Sequence, residues 1–95
     1  DDIVDTAGSL TKAAEALLAA GGLTVRAAIS HAVLSGAAIE NLERSKLEEL
    51  VVTDSIQLHA EAKKCTKITQ LSIAELMGKA IRRIHNDDSI SALFI

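Results

Sequence analysis

The strongest constraint on the fold is a repeated alternation between helical and strand-like hydrophobic spacing. Apolar residues at helical spacing predict a helix over about residues 10–20: Leu10, Ala13, Ala14, Leu17 and Leu18. Ser9 is its predicted cap, and Gly21 and Gly22 are predicted to end it. A strand ending near Ser30 is predicted by a period of two in Leu23, Val25, Ala27 and Ile29. Such alternation, with short connections, is typical of an α/β fold with a mostly parallel sheet flanked by helices.

The helix-then-strand unit repeats through the rest of the chain. The segment SHAVLSG is predicted to be a loop, followed by a short helix from Ala37 to about Arg44 and a strand around residues 50–53. Residues 54–66 are polar, with one predicted helical turn near residues 60–64, and a strand follows at residues 67–71. The clearest helix is capped by Ser72, ends near His85 and Asn86, and carries the apolar residues Ile73, Leu76, Met77, Ala80, Ile81 and Ile84.

Composition excludes several classes of protein. The 95 residues suit one small domain, whose limited core favours partner surfaces. A net charge of −3 and a single aromatic residue argue against nucleic-acid binding. Charges and glycines break the apolar runs before the roughly 18 residues that would span a membrane, and we recognise no signal peptide. The single cysteine, Cys65, fits a reducing compartment, so we expect a cytoplasmic protein.

The opening residues have the pattern of a phosphate-binding turn between a strand and a helix. Asp5 begins the turn, and Thr6, Ala7, Gly8 and Ser9 lead into the helix, where unpaired amides and the helix dipole favour a phosphate dianion. Gly8 allows close approach of the anion, and the hydroxyls of Thr6 and Ser9 are further donors. The Gly-Lys-Ser/Thr ending of an NTPase loop is absent.

Two adjacent carboxylates precede this turn. Asp1 and Asp2 would repel a bare phosphate, so they are expected to face sugar hydroxyls or a magnesium ion. A phosphorylated sugar satisfies both halves of the segment. The alternative is that the aspartates are solvated turn residues and that Ser9 is an ordinary helix cap.

Longer motifs carry a family resemblance. DDIVDTAGS resembles the motif that binds phosphoribosyl pyrophosphate (PRPP) in phosphoribosyltransferases and ribose-phosphate diphosphokinases. SHAVLSG, ELVVTDSI and KAIRRIHNDDSISALF resemble patterns of the diphosphokinases, and this resemblance runs from Asp1 to Ile95. Ala7 stands where many members have Gly and Ser9 where most have Thr; Ala7 should cost little unless its φ is positive.

The resemblance implies a transferase of nucleotide biosynthesis. That family moves the pyrophosphoryl group of ATP to the anomeric C1 hydroxyl of ribose 5-phosphate, with Mg²⁺, to give PRPP and AMP. The chain would be the carboxyl-terminal part of the second of two type I phosphoribosyltransferase-like domains, beginning at the ribose-5-phosphate loop with its first strand truncated. It should be inactive alone, because the main ATP contacts and the basic catalytic residues lie upstream.

Residue roles follow from the same resemblance. Asp1 and Asp2 would bind the ribose 2- and 3-hydroxyls, either directly or with a bridging metal. The 5-phosphate would be held by Asp5, Thr6, Ala7, Gly8 and Ser9. No catalytic residue is assigned within residues 1–95. The family also implies a homo-oligomer, a hexamer, that responds to inorganic phosphate and ADP.

The carboxyl-terminal segment has two interpretations. By resemblance, Ser89, Ser91 and Phe94 help to form a regulatory site at a subunit interface, where phosphate activates and ADP inhibits. From the residues alone, the segment is a tail that packs Ile90, Leu93 and Phe94 into the core. Arg82 and Arg83 lie near a helix end, where cations complement the dipole.

Two other functions remain open from the sequence. One is a non-catalytic regulatory relative that assembles with active diphosphokinase subunits, although such proteins tend to disrupt the phosphate loop. The other is a phosphoribosyltransferase that consumes PRPP, which the ending IRRIHNDDSISALF opposes. His31, His59 and His85 have no metal-ligand spacing, and Cys65 has no histidine base placed beside it.

Overall fold

The computed structural model describes residues 1–94. Strands and helices alternate along most of its length, as the hydrophobic spacing predicts. In chain order, the elements are β1 (Ile3–Val4), α1 (Gly8–Ala19), β2 (Arg26–Ile29), β3 (His31–Ala32), α2 (Ala38–Arg44), β4 (Glu49–Thr53), α3 (Ala60–Lys64), β5 (Ile68–Leu71), α4 (Ala74–His85) and a 3₁₀ turn (Ser91–Phe94).

All strand pairings in the described residues are parallel. β2, β4 and β5 form a three-stranded sheet with β4 in the centre, and β1 pairs with β3. Ile29 is in register with Val52, and Thr53 with Leu71, so the carboxyl ends of these strands lie along one edge. The predicted α/β class with a parallel sheet is confirmed at this level.

The prediction that SHAVLSG is entirely loop was wrong at its start. Only Ser30 separates β2 from β3, and His31 and Ala32 pair with Ile3 and Val4. The His31 N–H donates to the Asp2 carbonyl at 2.7 Å. A pairing made with residues so distant in sequence leaves no local hydrophobic period to detect.

The start of α1 also differs from the prediction. The helix begins at Gly8, and its N-cap is Ala7 in a left-handed conformation with φ 66° and ψ 9°. Ser9 therefore lies inside the first turn and is not the cap. The predicted end is confirmed, since the N–H of Gly22 bonds to the Leu17 carbonyl and Gly21 has a φ of 106°.

Two side chains stabilise the start of α4. The N-cap is Ile73, one residue after the predicted cap Ser72, but the Ser72 hydroxyl still accepts a hydrogen bond from the Ala74 N–H at 3.2 Å. The Asp54 carboxylate accepts from the Ile73 N–H at 2.8 Å. The helix ends at His85, as predicted.

The core lies on one face of the central sheet, where buried residues of β4 belong to the same cluster as buried residues of α2. Leu50 and Val52 of β4 are buried, whereas Val51 and Thr53 on the opposite face are only partly covered. The largest fully buried side chains are Leu34, Leu42, Leu47, Leu50 and Val52. Aliphatic residues thus fill the core, as the near absence of aromatics requires.

The last helix leaves its apolar stripe uncovered. No residue of α4 is buried, and Met77, Ile81 and Ile84 are 50%, 63% and 60% exposed. Its main packing partner is the 3₁₀ turn. The radius of gyration is 15.9 Å, compared with about 12 Å for a compact chain of this length. No helix within residues 1–94 has the length and apolarity needed to cross a bilayer.

Candidate functional site

The predicted phosphate turn lies between β1 and α1. Val4, at the end of β1, is buried, and its carbonyl accepts hydrogen bonds from Val33 and Leu34. Ala7 is also buried, with 4% of its surface exposed, in its left-handed conformation. The φ of Ala7 is positive, which is the case in which alanine was expected to be costly, and such a φ costs a residue with a Cβ about 1 kcal/mol or more.

Residues of the turn with unpaired amides line a cavity. The first N–H groups of a helix have no partner within the helix, and those of Ala7, Gly8 and Ser9 make no hydrogen bond within residues 1–94. They border a cavity of about 600 Å³. Its polar lining comes from Asp1, Asp5, Thr6, Gly8 and Ser9, and its apolar lining from Ile3, Val4, Ala7, Leu10, Ala13 and Ile29.

The two adjacent carboxylates are not equivalent. Asp1 lines the cavity and accepts a hydrogen bond from the Asp2 backbone N–H at 2.8 Å, whereas Asp2 is not among the lining residues. Both side chains are exposed, as is Asp5. The structure thus places six of the seven predicted substrate-binding residues around one cavity and leaves Asp2 at its margin.

The acidic pair alone makes a weak metal site. No group of three or more His, Cys, Asp or Glu residues that could hold a metal ion occurs in residues 1–94. Magnesium is often bound by only one or two carboxylates, with water and substrate phosphates as its other ligands. Asp1 and Asp2 therefore suit a magnesium ion only if water and the substrate phosphates supply its other ligands.

Two contacts from beyond β3 hold the turn. The Ser35 hydroxyl donates a hydrogen bond to the Asp5 carboxylate. The Asn41 side-chain amide, on α2, donates to the Thr6 carbonyl at 2.8 Å. Ser35 belongs to the SHAVLSG motif, so its sequence context placed it near the site. Asn41 carries no such signal, because neither spacing nor residue type connects it to Thr6.

A hydroxyl and imidazole network occupies the carboxyl edge of the sheet. Thr53 Oγ1 and Ser55 Oγ both donate to the Ser30 carbonyl, at 2.6 and 3.1 Å. His31 Nδ1 lies 2.8 Å from Ser55 Oγ. The Ser55 hydroxyl thus lies between the Ser30 carbonyl and the His31 imidazole, within hydrogen-bond distance of both.

Two of the three predicted regulatory residues are in contact at the other end of the chain. Ser89 Oγ and Ser91 Oγ are 2.7 Å apart, and Arg83 donates to the Ser89 carbonyl at 3.1 Å. This contact joins α4 to the segment after it, and Ser89 lies beyond the last turn of the helix that Arg83 was expected to cap. Ile90 and Leu93 are half-buried, but Phe94 is 69% exposed, so the structure does not pack Phe94 into the core.

Comparison with known proteins decides the family. The family model described as phosphoribosyl synthetase-associated domain matches residues 1–95. The chain belongs to that family. The resemblance found in the motifs is thereby confirmed over the full length that it was expected to cover.

Relatives in the phosphoribosyl synthetase family are similar throughout. The chain is 52% identical over 95 residues to a protein of Coxiella burnetii and 54% identical over 95 residues to one of Xanthomonas axonopodis pv. citri, both named ribose-phosphate pyrophosphokinase. All of this chain is covered in both comparisons, but it spans only 30% of the length of each relative.

A solved structure supports the same family. The crystal structure of phosphoribosylpyrophosphate synthetase from Mycobacterium smegmatis matches with a TM-score of 0.85 and 32% identity. The match covers 92% of this chain and 29% of that one. The elongated arrangement described above thus closely resembles part of a larger synthetase.

Proposed function

We propose that this chain is part of a ribose-phosphate pyrophosphokinase and that its opening turn holds ribose 5-phosphate. The full enzyme would transfer pyrophosphate from ATP to the C1 hydroxyl of ribose 5-phosphate, giving PRPP and AMP in nucleotide biosynthesis. The observation that carries this proposal is a turn with unpaired amides, facing a cavity, in a chain 52–54% identical to named pyrophosphokinases.

The polar groups divide into two sets. Unpaired N–H groups of Ala7, Gly8 and Ser9, with the Thr6 and Ser9 hydroxyls, suit the oxygens of the 5-phosphate. Carboxylates suit groups that donate hydrogen bonds, so Asp1 and Asp2 would bind the 2- and 3-hydroxyls. Asp5 would complete the phosphate turn through its position in the backbone. Its negatively charged carboxylate accepts the hydrogen bond from Ser35 and does not attract the phosphate.

The contribution to catalysis is positioning. Transfer of a phosphoryl-type group depends mainly on alignment and charge stabilisation, which Mg²⁺ supplies when bound, with Asp1 and Asp2 as its proposed carboxylates on this chain. Holding the sugar at its phosphate and at its ring hydroxyls leaves C1–OH as the free end of the ligand. No residue of this chain is assigned as a general base.

Further parts of the proposal rest on the family. Residues 1–95 would form the carboxyl-terminal part of the second of two type I phosphoribosyltransferase-like domains in a cytoplasmic homo-oligomer, a hexamer. ADP and inorganic phosphate would act through Ser89, Ser91 and Phe94. The exposed apolar stripe of α4 is consistent with burial in a larger assembly.

Activity of the full-length protein tests the proposal. Incubation with ATP, Mg²⁺ and ribose 5-phosphate should yield AMP and PRPP in equal amounts, measured by chromatography. Residues 1–95 alone should yield neither product. If the full-length protein forms no AMP from these substrates, the enzyme assignment is wrong.

A non-catalytic regulatory subunit is the second candidate, because the matching family model is described as a phosphoribosyl synthetase-associated domain. It would form no AMP alone but would change the activity of an authentic synthetase on mixing. The intact turn, whose residues with unpaired amides line a cavity, argues for substrate binding instead.

A further inference from the structure

The orientation of the Thr6–Ala7 peptide is fixed from outside the turn. Its carbonyl oxygen accepts the 2.8 Å hydrogen bond from Asn41 Nδ2. Asn41 is half-buried on α2, and its own N–H bonds to the Ala37 carbonyl at 2.8 Å. The next residue, Leu42, is fully buried. The donor therefore sits on a backbone that the core holds in place.

This contact determines where the Ala7 N–H points. The peptide is trans, so its N–H and C=O groups are directed to opposite sides. With the carbonyl directed toward α2, the Ala7 N–H is directed away from α2. Residues 6–8 line the cavity, whereas α2 contributes no residue to its lining. The contact thus turns the amide to the cavity side of the turn.

An alternative orientation would relieve strain. Rotation of the Thr6–Ala7 peptide by half a turn would bring Ala7 from its φ of 66° into the negative region that residues with a Cβ prefer. The same rotation would turn the N–H away from the cavity and the carbonyl oxygen toward it. A carbonyl oxygen would repel a phosphate. The native orientation therefore depends on contacts that hold it, and Asn41 supplies one directly.

We propose that Asn41 is a positioning residue for the substrate phosphate: by bonding the Thr6 carbonyl, it keeps the Ala7 N–H directed at the anion. This inference rests on the proposed function. Asn41 does not line the cavity, so it would act through the turn and not by touching the substrate. The Ser35 bond to Asp5 holds the preceding residue of the same turn.

Asn41→Ala in the full-length protein tests the inference, with steady-state kinetics and thermal unfolding measured together. Alanine is a better helix former than asparagine, and this gain in stability offsets the stability lost with the hydrogen bond. The melting temperature should therefore stay close to that of the wild type. KM for ribose 5-phosphate should rise about tenfold, as expected for the loss of one well-placed donor, while KM for ATP stays within twofold. Glu43→Ala, an exposed change on the same helix, is the matched control and should alter neither KM.

Asn41→Asp and direct binding complete the test. Aspartate has the same shape but no donor, so it should raise KM for ribose 5-phosphate at least as much as alanine does. An unchanged KM in Asn41→Ala, or equal increases for both substrates together with a lower melting temperature, would overturn the positioning role. Calorimetric titration of the wild type with ribose 5-phosphate separates the two proposals: binding that Asn41→Ala does not weaken refutes only the role of Asn41. Absence of both binding and turnover in the wild type refutes the proposed function and this inference with it.

Discussion

The Asp54 carboxylate accepts a hydrogen bond from the Ile73 N–H at 2.8 Å, which connects the loop after β4 to the start of α4. This bond, followed in importance by one from the Ser72 hydroxyl, holds the pKa of Asp54 below its ordinary value of 3.8. A lowered pKa in the folded state means that the charged carboxylate stabilises the fold. That contribution is fully present above about pH 4 and is lost as the pH falls through the lowered pKa.

The Asp54 contact predicts an acid-dependent change at α4. Hydrogen exchange of the α4 amides in the full-length protein should accelerate as the pH is lowered below about 4, after correction for intrinsic exchange. Asp54→Asn should reduce this dependence while retaining an acceptor oxygen. Glu15→Gln removes an exposed carboxylate on α1 and should leave the α4 profile unchanged. An identical pH profile in Asp54→Asn would contradict the assignment.

A substitution at Gly8 should hinder the approach of the anion without disturbing the fold. Its φ is not in the left-handed region, and an added Cβ would meet only Thr6 Oγ1, at 3.8 Å. Gly8→Val in the full-length protein should therefore fold, yet raise KM for ribose 5-phosphate far more than KM for ATP, because the side chain crowds the anion. Equal effects on both KM values would mean that the turn has been assigned the wrong ligand.

Gly78 is the matched control for Gly8. It lies inside α4, and a Cβ added there would enter open space within the described residues. Gly78→Ala should leave both KM values unchanged and stabilise the helix by up to about 1 kcal/mol.

Ala7 should tolerate glycine but not a branched residue. Ala7→Gly relieves about 1 kcal/mol of backbone strain but loses a buried methyl group worth about 0.8 kcal/mol, so the free energy of unfolding should change by less than about 1 kcal/mol. Ala7→Val combines a left-handed φ with overpacking and should cost about 2 kcal/mol or more. Urea unfolding of the full-length protein measures both values. A Val variant as stable as the Gly variant would be inconsistent with the left-handed conformation.

Lys67 should stabilise the end of α2. Its ammonium donates to the Leu42 and Ser45 carbonyls at 3.0 and 2.7 Å from a half-buried position. Lys67→Met keeps the stem but removes the donor, and should lower the free energy of unfolding by about 1–3 kcal/mol. Lys46→Met, an exposed change in the adjacent loop, should change it by less than about 0.5 kcal/mol. Similar losses in both variants would argue against this role.

Elements with a strong local period were predictable. β4 and the end of α4 were expected within about a residue of where the structure has them, because β4 is a short apolar run and the apolar residues of α4 keep one helical period. The opening turn was also recognisable, since Asp5, Gly8 and Ser9 are residue types suited to a turn that binds a phosphate. The roles of these residues remain predictions, which the kinetic experiments address.

Features that depend on distant residues were not predictable. β3 exists because His31 and Ala32 pair with β1, and no local pattern reports a two-residue pairing. The cap of α1 was assigned to Ser9 because a serine before an apolar run usually caps a helix. In the structure, burial of Ala7 and the contact from Asn41 accompany a left-handed residue at that position instead.

The sequence by itself determined the α/β class, the order of most elements and the family, because these depend on local hydrophobic period and on contiguous motifs. Only the tertiary structure decided which groups face the cavity. It placed Asp1 in the lining and Asp2 outside it, and it brought Asn41 from α2 to the Thr6 carbonyl. These relationships depend on how β1, α1 and α2 pack together, and packing between segments some 35 residues apart leaves no mark on the local sequence.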